Sequence, residues 1–386
     1  MPFKTFDYII IGSGASGLQL ALAMLRDAYF DDKVIGIIEK RSEFTNDKTW
    51  CYWEEGNGLY DNIIHKSWNK GCFKAHGETI NLNLETYNYK MIKSIDFYSY
   101  AKDKIDSVTN IEFIQDEIRS VDKVNNQVQL KGSQNNYQAE HIFDSRLPEN
   151  YKPQQSINIL QHFKGWFIEA EDEVFNPEQF CMMDYSFSDP DKTCFIYILP
   201  FSNTKALVEF TYFSPELVND KTYENYIKTY LKNHLKIEHY KIYETEKGVI
   251  PMSSHPFYEH HSPKITKIGT SGGWVKASTG YSFKNSERNS IKMINNIKSG
   301  QSPHHQLYEK RFKHYDKLFL DVLYNHNNYG ETLFYKMYKY NDISRIFRFL
   351  DEQTKLGEEI KIMLTMTSLH FIKALIKHVG QGFKIR

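Results

Sequence analysis

The chain has 386 residues, 48 of them basic and 48 acidic, for a formal net charge of zero. That length suits one large domain or two closely joined ones with a core of their own, and the even balance without a basic stripe gives no argument for a nucleic-acid partner. Its four cysteines, Cys51, Cys72, Cys181 and Cys194, form no CxxC pair and no Cys/His cluster, so they argue against a metal centre and read as reduced thiols of a cytoplasmic protein.

No run approaches the ~20 apolar residues of a spanning helix. The first apolar run, Tyr8–Ile11, follows an acidic residue and enters a glycine turn, unlike an export signal. Aromatic residues are abundant, with 26 Phe, 27 Tyr and 5 Trp. They reflect either biased codon usage or a pocket for a long apolar ligand, whose cationic forms aromatic faces stabilise.

Residues 7–11 predict a short buried strand of a parallel sheet. Gly12-Ser13-Gly14-Ala15-Ser16-Gly17 follows. A helical pattern then places Leu18, Leu22 and Leu25 on one face, and a second strand over 34–38 ends in Glu39. Strand, GxGxxG, helix, strand and acid make a dinucleotide-binding unit. Gly12 permits the tight turn, Gly14 the approach of backbone to pyrophosphate, and Gly17 close helix–strand packing. The helix N-terminus offers free N–H groups to phosphate. Glu39 can accept from a ribose hydroxyl and would repel a 2′-phosphate. The expected contacts here are Gly12, Gly14, Ala15, Ser16, Gly17, Glu39 and Lys40. This unit alone leaves FAD and NAD both open.

Residues 77–84 alternate as a strand, 94–106 read as a helix and 111–114 as a strand. Short strands fill 116–143, and 141–146 form a buried strand ending in a polar turn. Segment 76–155 is thus expected to complete the nucleotide sheet begun in 1–75, with a polar linker over 148–155. Segment 156–260 is expected to be an antiparallel substrate-binding sheet, including a hairpin of 194–200 with 205–213 and a helix over 223–235. In 261–300, a strand over 265–268 feeds a second glycine-rich turn, Gly269 to Gly280, and a helix from about 283 to 299. This turn is either a tight connection or a second anion-binding segment. The latter favours FAD and adds Gly269, Thr270, Gly273, Thr279 and Gly280 to the cofactor contacts. Segment 301–386 reads as helical. Ile362, Met366, Leu369, Ile372, Ile376 and Val379 form a stripe with Lys361, Lys373 and Lys377 off it. Such a helix either packs on the domain or lies on a bilayer surface. The expected fold class is α/β: a Rossmann-type FAD-binding domain with an inserted antiparallel sheet and C-terminal helices.

Five ordered segments carry a resemblance. They are Asn46-Asp-Lys-Thr-Trp-Cys-Tyr-Trp53, Asp144-Ser-Arg146, Tyr197-Ile-Leu-Pro200 with Ala206-Leu-Val-Glu209, Glu246-Lys-Gly-Val-Ile-Pro251, and Gly269 to Phe283. Together they resemble the bacterial, FAD-dependent lycopene β-cyclase family over about residues 5–290, with Lys48 and Tyr52 as conservative departures. The resemblance implies an intramolecular lyase (isomerase) that closes the ends of lycopene or a related linear carotene into β-rings. It implies reduced FAD kept so by NAD(P)H, no metal, and a cytoplasmic enzyme held peripherally at a membrane. It also implies that Glu209 is the essential carboxyl.

Ring closure needs an acid for the terminal alkene and a base for the ring cation. A glutamic acid serves as the acid at neutral pH only where burial raises its pKa. Glu209, mid-strand among aromatics, is the candidate; alternation alone would also allow it to face solvent. Glu246 is a candidate base or positioning residue, or else stabilises the turn before Gly248 and Pro251. Asp47 and the Trp50/Trp53 pair are expected to line the site near the flavin, with Trp50 among the cofactor contacts; otherwise the tryptophans belong to the core. The reduced flavin is expected to stabilise the cation or to deliver the proton itself. A flavin-dependent hydroxylase or isoprenoid reductase is the main rival. It is disfavoured by Thr270 and Ala277, where such enzymes carry Asp and often Pro. A non-catalytic carotenoid or flavin carrier is disfavoured by Glu209.

Overall fold

Runs such as Ile9-Ile10-Ile11 and Ile35–Glu39 bury every residue, which suits a parallel strand covered on both faces. The computed structural model describes residues 2–125, 127–149 and 151–382, with side-chain burial as far as residue 378. The chain begins with β1 (Phe3–Ile11), α1 (Ala15–Leu25), β2 (Ile35–Glu39), β3 (Thr49–Glu55), β4 (Lys66–Trp68), β5 (Lys70–Ala75), β6 (Glu78–Asn83) and β7 (Tyr87–Lys93). Next come α2 (Ser94–Asp106), β8 (Ile111–Gln115), β9 (Ile118–Val124), β10 (Gln127–Gly132), β11 (Asn136–Asp144), β12 (Asn158–Ala170), β13 (Gln179–Asp184), β14 (Thr193–Pro200) and β15 (Lys205–Ser214). Then follow α3 (Asp220–Asn233), β16 (Tyr240–Ser253), β17 (Ile265–Lys267), α4 (Phe283–Lys298), α5 (Lys310–Asn325), α6 (Gly330–Tyr340), α7 (Ile343–Leu350), α8 (Leu356–Met366) and α9 (Leu369–Gly382).

The first sheet runs β8-β2-β1-β11-β10-β9, with β17 also beside β11. Its β8, β2, β1, β11 and β17 pair in parallel, and β9 and β10 extend it as an antiparallel meander. Strand β11 splits its partners. Asn136–Ala139 pair with β10, whereas Ile142–Asp144 pair with β17. That split brings the turn after β17 next to the turn after β1.

The second sheet runs β16-β12-β15-β14-β13-β5-β6. It is buried on both sides. Val208, Phe210 and Tyr212 of β15 cluster with Tyr223, Ile227 and Tyr230 of α3, while Leu207 and Phe213 join the core shared with the C-terminal helices. The strand expected at 77–84 is β6. It pairs with β5, and β5 with β13, so it belongs to this second sheet and not to the nucleotide sheet. Alternation marks a half-buried strand but does not name its partner. A third sheet, β3-β7-β4, gives Trp53, Tyr89 and Met91 to the core of the second sheet and Tyr52 and Ile92 to that of the first.

The stripe expected near the C-terminus is divided by a break at 367–368. Ile362 and Met366 are buried on α8, whereas Leu369, Ile372 and Ile376 of α9 are exposed; Val379 lies outside the residues whose side chains are described. Lys276, in the loop before α4, is buried. Its ammonium pairs with Asp316 of α5 at 3.1 Å and with Glu352, just past α7, at 3.0 Å. Burial opposes its charge, but the two carboxylates outweigh burial and raise its pKa.

Candidate active site

One cavity of about 640 Å³ runs from the glycine turn after β1, across the inner face of the second sheet, to α6 and α7. At the first end the backbone does the work. Gly12 has φ of +93°, and a Cβ on Gly17 would lie 2.0 Å from the Gly12 carbonyl oxygen. Gly14 faces open space. The first turn of α1 has no side-chain cap and no acidic residue, so its N–H groups point unopposed into the cavity. Gly14, Ala15, Ser16 and Gly17 all line it.

The second glycine segment meets the first. Gly269, at φ of +61°, would place a Cβ 3.1 Å from the Ser16 hydroxyl, and Ser16 is bonded to Ser286 of α4 at 2.7 Å. Gly269, Thr270, Thr279 and Gly280 line the cavity. Two buried oxygens in this region, Thr279 Oγ1 and Gln161 Oε1, have no hydrogen-bond partner among the described residues. Gly273 is a left-handed cap behind the turn and does not reach the cavity.

Glu39 is not on the cavity wall either. Its carboxylate accepts from the Ser13 N–H at 2.8 Å, the Ser13 hydroxyl at 2.7 Å and the Arg41 N–H at 3.0 Å. Burial opposes its charge, but these bonds hold its pKa below the ordinary value. Lys40 is exposed and does not line the cavity. Arg41, which sequence reasoning passed over, lies between Glu39 and Asp47 and over the Phe44 ring.

The expected carboxyls meet at the centre. Glu209 of β15 and Glu246 of β16 both face the cavity, from strands on opposite sides of β12. Their side chains are in hydrogen-bond contact. The Thr211 hydroxyl donates to Glu209 at 2.5 Å, and the Thr49 hydroxyl to Glu246 at 2.6 Å. Burial, and then the neighbouring Glu246 charge, push Glu209 well above the carboxylate range. Burial lifts Glu246 to about 7, against the bonds from Thr49 and Glu209 that lower it. Two like carboxyls in contact inside a low-dielectric site share a proton, as in other buried acid pairs. The pair therefore holds a carboxylic acid beside a carboxylate near neutral pH.

Beside Glu209 stands a cluster of phenols absent from the sequence-level site. Tyr89 is bonded to Tyr197 at 2.8 Å and to Tyr281 at 3.0 Å. Tyr197 is the cross-strand partner of Glu209, so the expected hairpin register could have revealed it. Trp50 lines the cavity, stacked edge-on to Phe97 at 5.5 Å. Trp53 is core: it stacks on Phe347 at 4.5 Å and donates to Asp351 at 2.8 Å. Beyond the carboxyls the wall is apolar, with Met182, Phe195, Phe213, Phe334 and Met337.

Against this geometry, the family model described as lycopene cyclase protein matches residues 7–376. The chain belongs to the lycopene cyclase family. No curated relative matches the sequence. Solved structures share the fold of this cyclase-family chain at low identity. A geranylgeranyl bacteriochlorophyll reductase-like protein from Thermoplasma acidophilum has a TM-score of 0.63 at 14% identity, covering 97% of this chain and 99% of that one. A flavoprotein/dehydrogenase from Cytophaga hutchinsonii has a TM-score of 0.61 at 10% identity, covering 98% and 100%. The p-nitrophenol 4-monooxygenase of Pseudomonas putida has a TM-score of 0.57 at 11% identity, covering 94% and 98%. This chain thus shares its mixed α/β fold with solved flavoproteins. Among the described residues, no group of three or more His, Cys, Asp or Glu is placed to hold a metal.

Proposed function

We propose that the protein is a lycopene β-cyclase, catalysing redox-neutral acid–base closure of the ends of lycopene or a related linear carotene. The observation that carries this reading is the buried Glu209–Glu246 pair in a cavity whose far end is a bare glycine turn. The residues present fit FAD. Gly14 leaves room for a pyrophosphate, the N-terminus of α1 is free, and Thr279 and Gln161 offer buried oxygens without partners. Gly14–Gly17 would hold the phosphates, and Gly269–Thr270 with Thr279–Gly280 would hold the rest of the cofactor. Glu39 would hold the turn in place through Ser13. Bound in its reduced form, maintained by NAD(P)H, FAD supplies negative charge beside a developing cation.

The protein's own residues account for the proton. Glu209, kept neutral by burial, donates to the terminal alkene. The apolar wall holds the polyene folded and excludes water, and Trp50 and the phenol faces stabilise the cation. Glu246, ionised beside it, removes the proton from the ring cation. The Glu209–Glu246 contact then returns that proton to Glu209, so nothing is consumed.

The partner that supplies so apolar a substrate is a bilayer. Leu356, Ile360 and Leu364 of α8 and Leu369, Leu375 and Ile376 of α9 are exposed, with Lys361 and Lys373 also exposed among them. An apolar face fringed by lysines suits an anionic membrane surface. Helix α8 packs on α6 and α7, whose Phe334, Met337 and Leu350 wall the apolar end of the cavity. No helix among the described residues is long and apolar enough to cross a membrane, and the exposed leucines and lysines favour peripheral attachment. Replacing Leu369 and Ile376 with Gln is expected to weaken co-sedimentation with anionic vesicles by about a hundredfold, from two lost insertions of about 1.5 kcal/mol each.

The direct test supplies purified protein with reduced FAD and lycopene in vesicles, followed by mass analysis of the pigment. The expected product has the mass of the substrate and cyclic ends. A product heavier by oxygen or by hydrogen would assign the site to a flavin oxidoreductase instead.

A further inference from the structure

Two carboxyls on strands that are not neighbours should not touch. Strand β12 lies between β15 and β16, so the two backbones stand about 10 Å apart, twice the usual inter-strand spacing. Any side chain on β12 at that level would stand between them, because directly opposed residues project to the same face. The residue at that level is glycine. Gly165 is the register partner of Glu209 on one side and of Glu246 on the other. A Cβ placed on it would lie 2.8 Å from Leu207 Cδ1, 3.2 Å from Glu246 Cγ and 3.4 Å from Glu209 Cβ.

We propose that Gly165 is a positioning residue: the missing side chain at the centre of the sheet is a slot through which Glu209 and Glu246 reach each other. The reason is geometric. Glycine is otherwise a poor choice inside a strand, where it weakens the sheet and packs nothing. Both neighbouring strands supply a glutamate at this one level. Its flanks on the same face, Phe163 and Phe167, are large, so the gap is confined to the single position between the acids. The rest of the wall shows what a filled position does: Phe163 lies across Gly248, where a Cβ would fall 2.4 Å from its ring. The slot explains how an edge strand and an interior strand form one acid pair with no third polar residue bridging them.

This inference rests on the acid-pair reading of the site, and its test does not need turnover. Carboxyl protonation is followed by infrared spectroscopy against pH in flavin-loaded protein, with Glu209→Gln and Glu246→Gln used to assign the bands. In the wild type the pair titrates in two separated steps. In Gly165→Val, whose branches fill the slot, the separation is expected to shrink by at least about one pH unit as the coupling is lost. Gly165→Ala shrinks it less. Adding Leu207→Val to Gly165→Ala relieves the packing contact, and the titration is expected to stay altered while thermal stability recovers. FAD affinity, set mainly at the two glycine turns away from Gly165, reports with thermal stability that the fold is intact in each variant. Titration unchanged in both Gly165 variants, or restored by Leu207→Val, overturns the slot. An altered titration in the Gly165 variants, together with wild-type protein that leaves lycopene untouched, supports the slot while overturning the cyclase reading.

Discussion

The two seven-stranded sheets meet the same cavity with opposite chemistry. The first presents bare backbone: glycines, a free helix start and a second turn pressed against it. The second presents side chains: Glu209, Tyr197 and Thr211 sit on the β14–β15 hairpin, and Glu246 on β16, which β12 separates from it. A backbone site tolerates no added atom. A side-chain site tolerates no lost proton carrier. Substitutions should therefore separate cofactor binding from proton chemistry.

The largest effect is expected from Glu209→Gln. It should lower turnover by about a thousandfold, the middle range of general acid catalysis, with FAD affinity unchanged; steady-state rates on lycopene and flavin fluorescence measure both. Glu246→Gln is next, at about a hundredfold, and it should alter the pH profile. In the wild type the rate rises with pH as Glu246 ionises near 7 and falls at higher pH as Glu209 loses its proton. The glutamine variant should lose the rising limb and keep the falling one. Gly17→Ala should do the reverse of both. Overpacking by about 2 kcal/mol against the Gly12 carbonyl weakens FAD binding roughly thirtyfold and leaves the carboxyl titration untouched. The smallest change is expected from Tyr197→Phe, where one lost hydrogen bond of about 1 kcal/mol slows turnover about fivefold. If Gly17→Ala shifted the pH profile, or Glu209→Gln released the cofactor, the division between the sheets would fail.

The same division decided what could be read from the chain alone. GxGxxG, its flanking strands and the second glycine turn are local patterns, and the structure brings Gly14–Gly17 and Gly269–Thr270 to one cavity. Glu39 and Lys40 do not line that cavity, because spacing places a residue at a strand end without saying which way its side chain then faces. Glu39 bonds Ser13, and Lys40 points to solvent. Glu209 was legible through resemblance and through its aromatic flanks. Its contact with Glu246 was not, because it depends on β12 entering between the strands that carry these two glutamates. Nor was the placement of β6, whose alternation fits either sheet.

The buried ammonium of Lys276 has a consequence for how the molecule can be divided. It ties the loop bearing Thr279 and Gly280 to helices that lie later in the chain. A protein ending before residue 310 would keep the cation and lose both counter-ions, a penalty of about 3–5 kcal/mol when a buried pair is broken. The half that carries the glycine turns and the half that roofs the apolar end of the cavity are thus riveted together, and neither should be obtainable as a stable fragment.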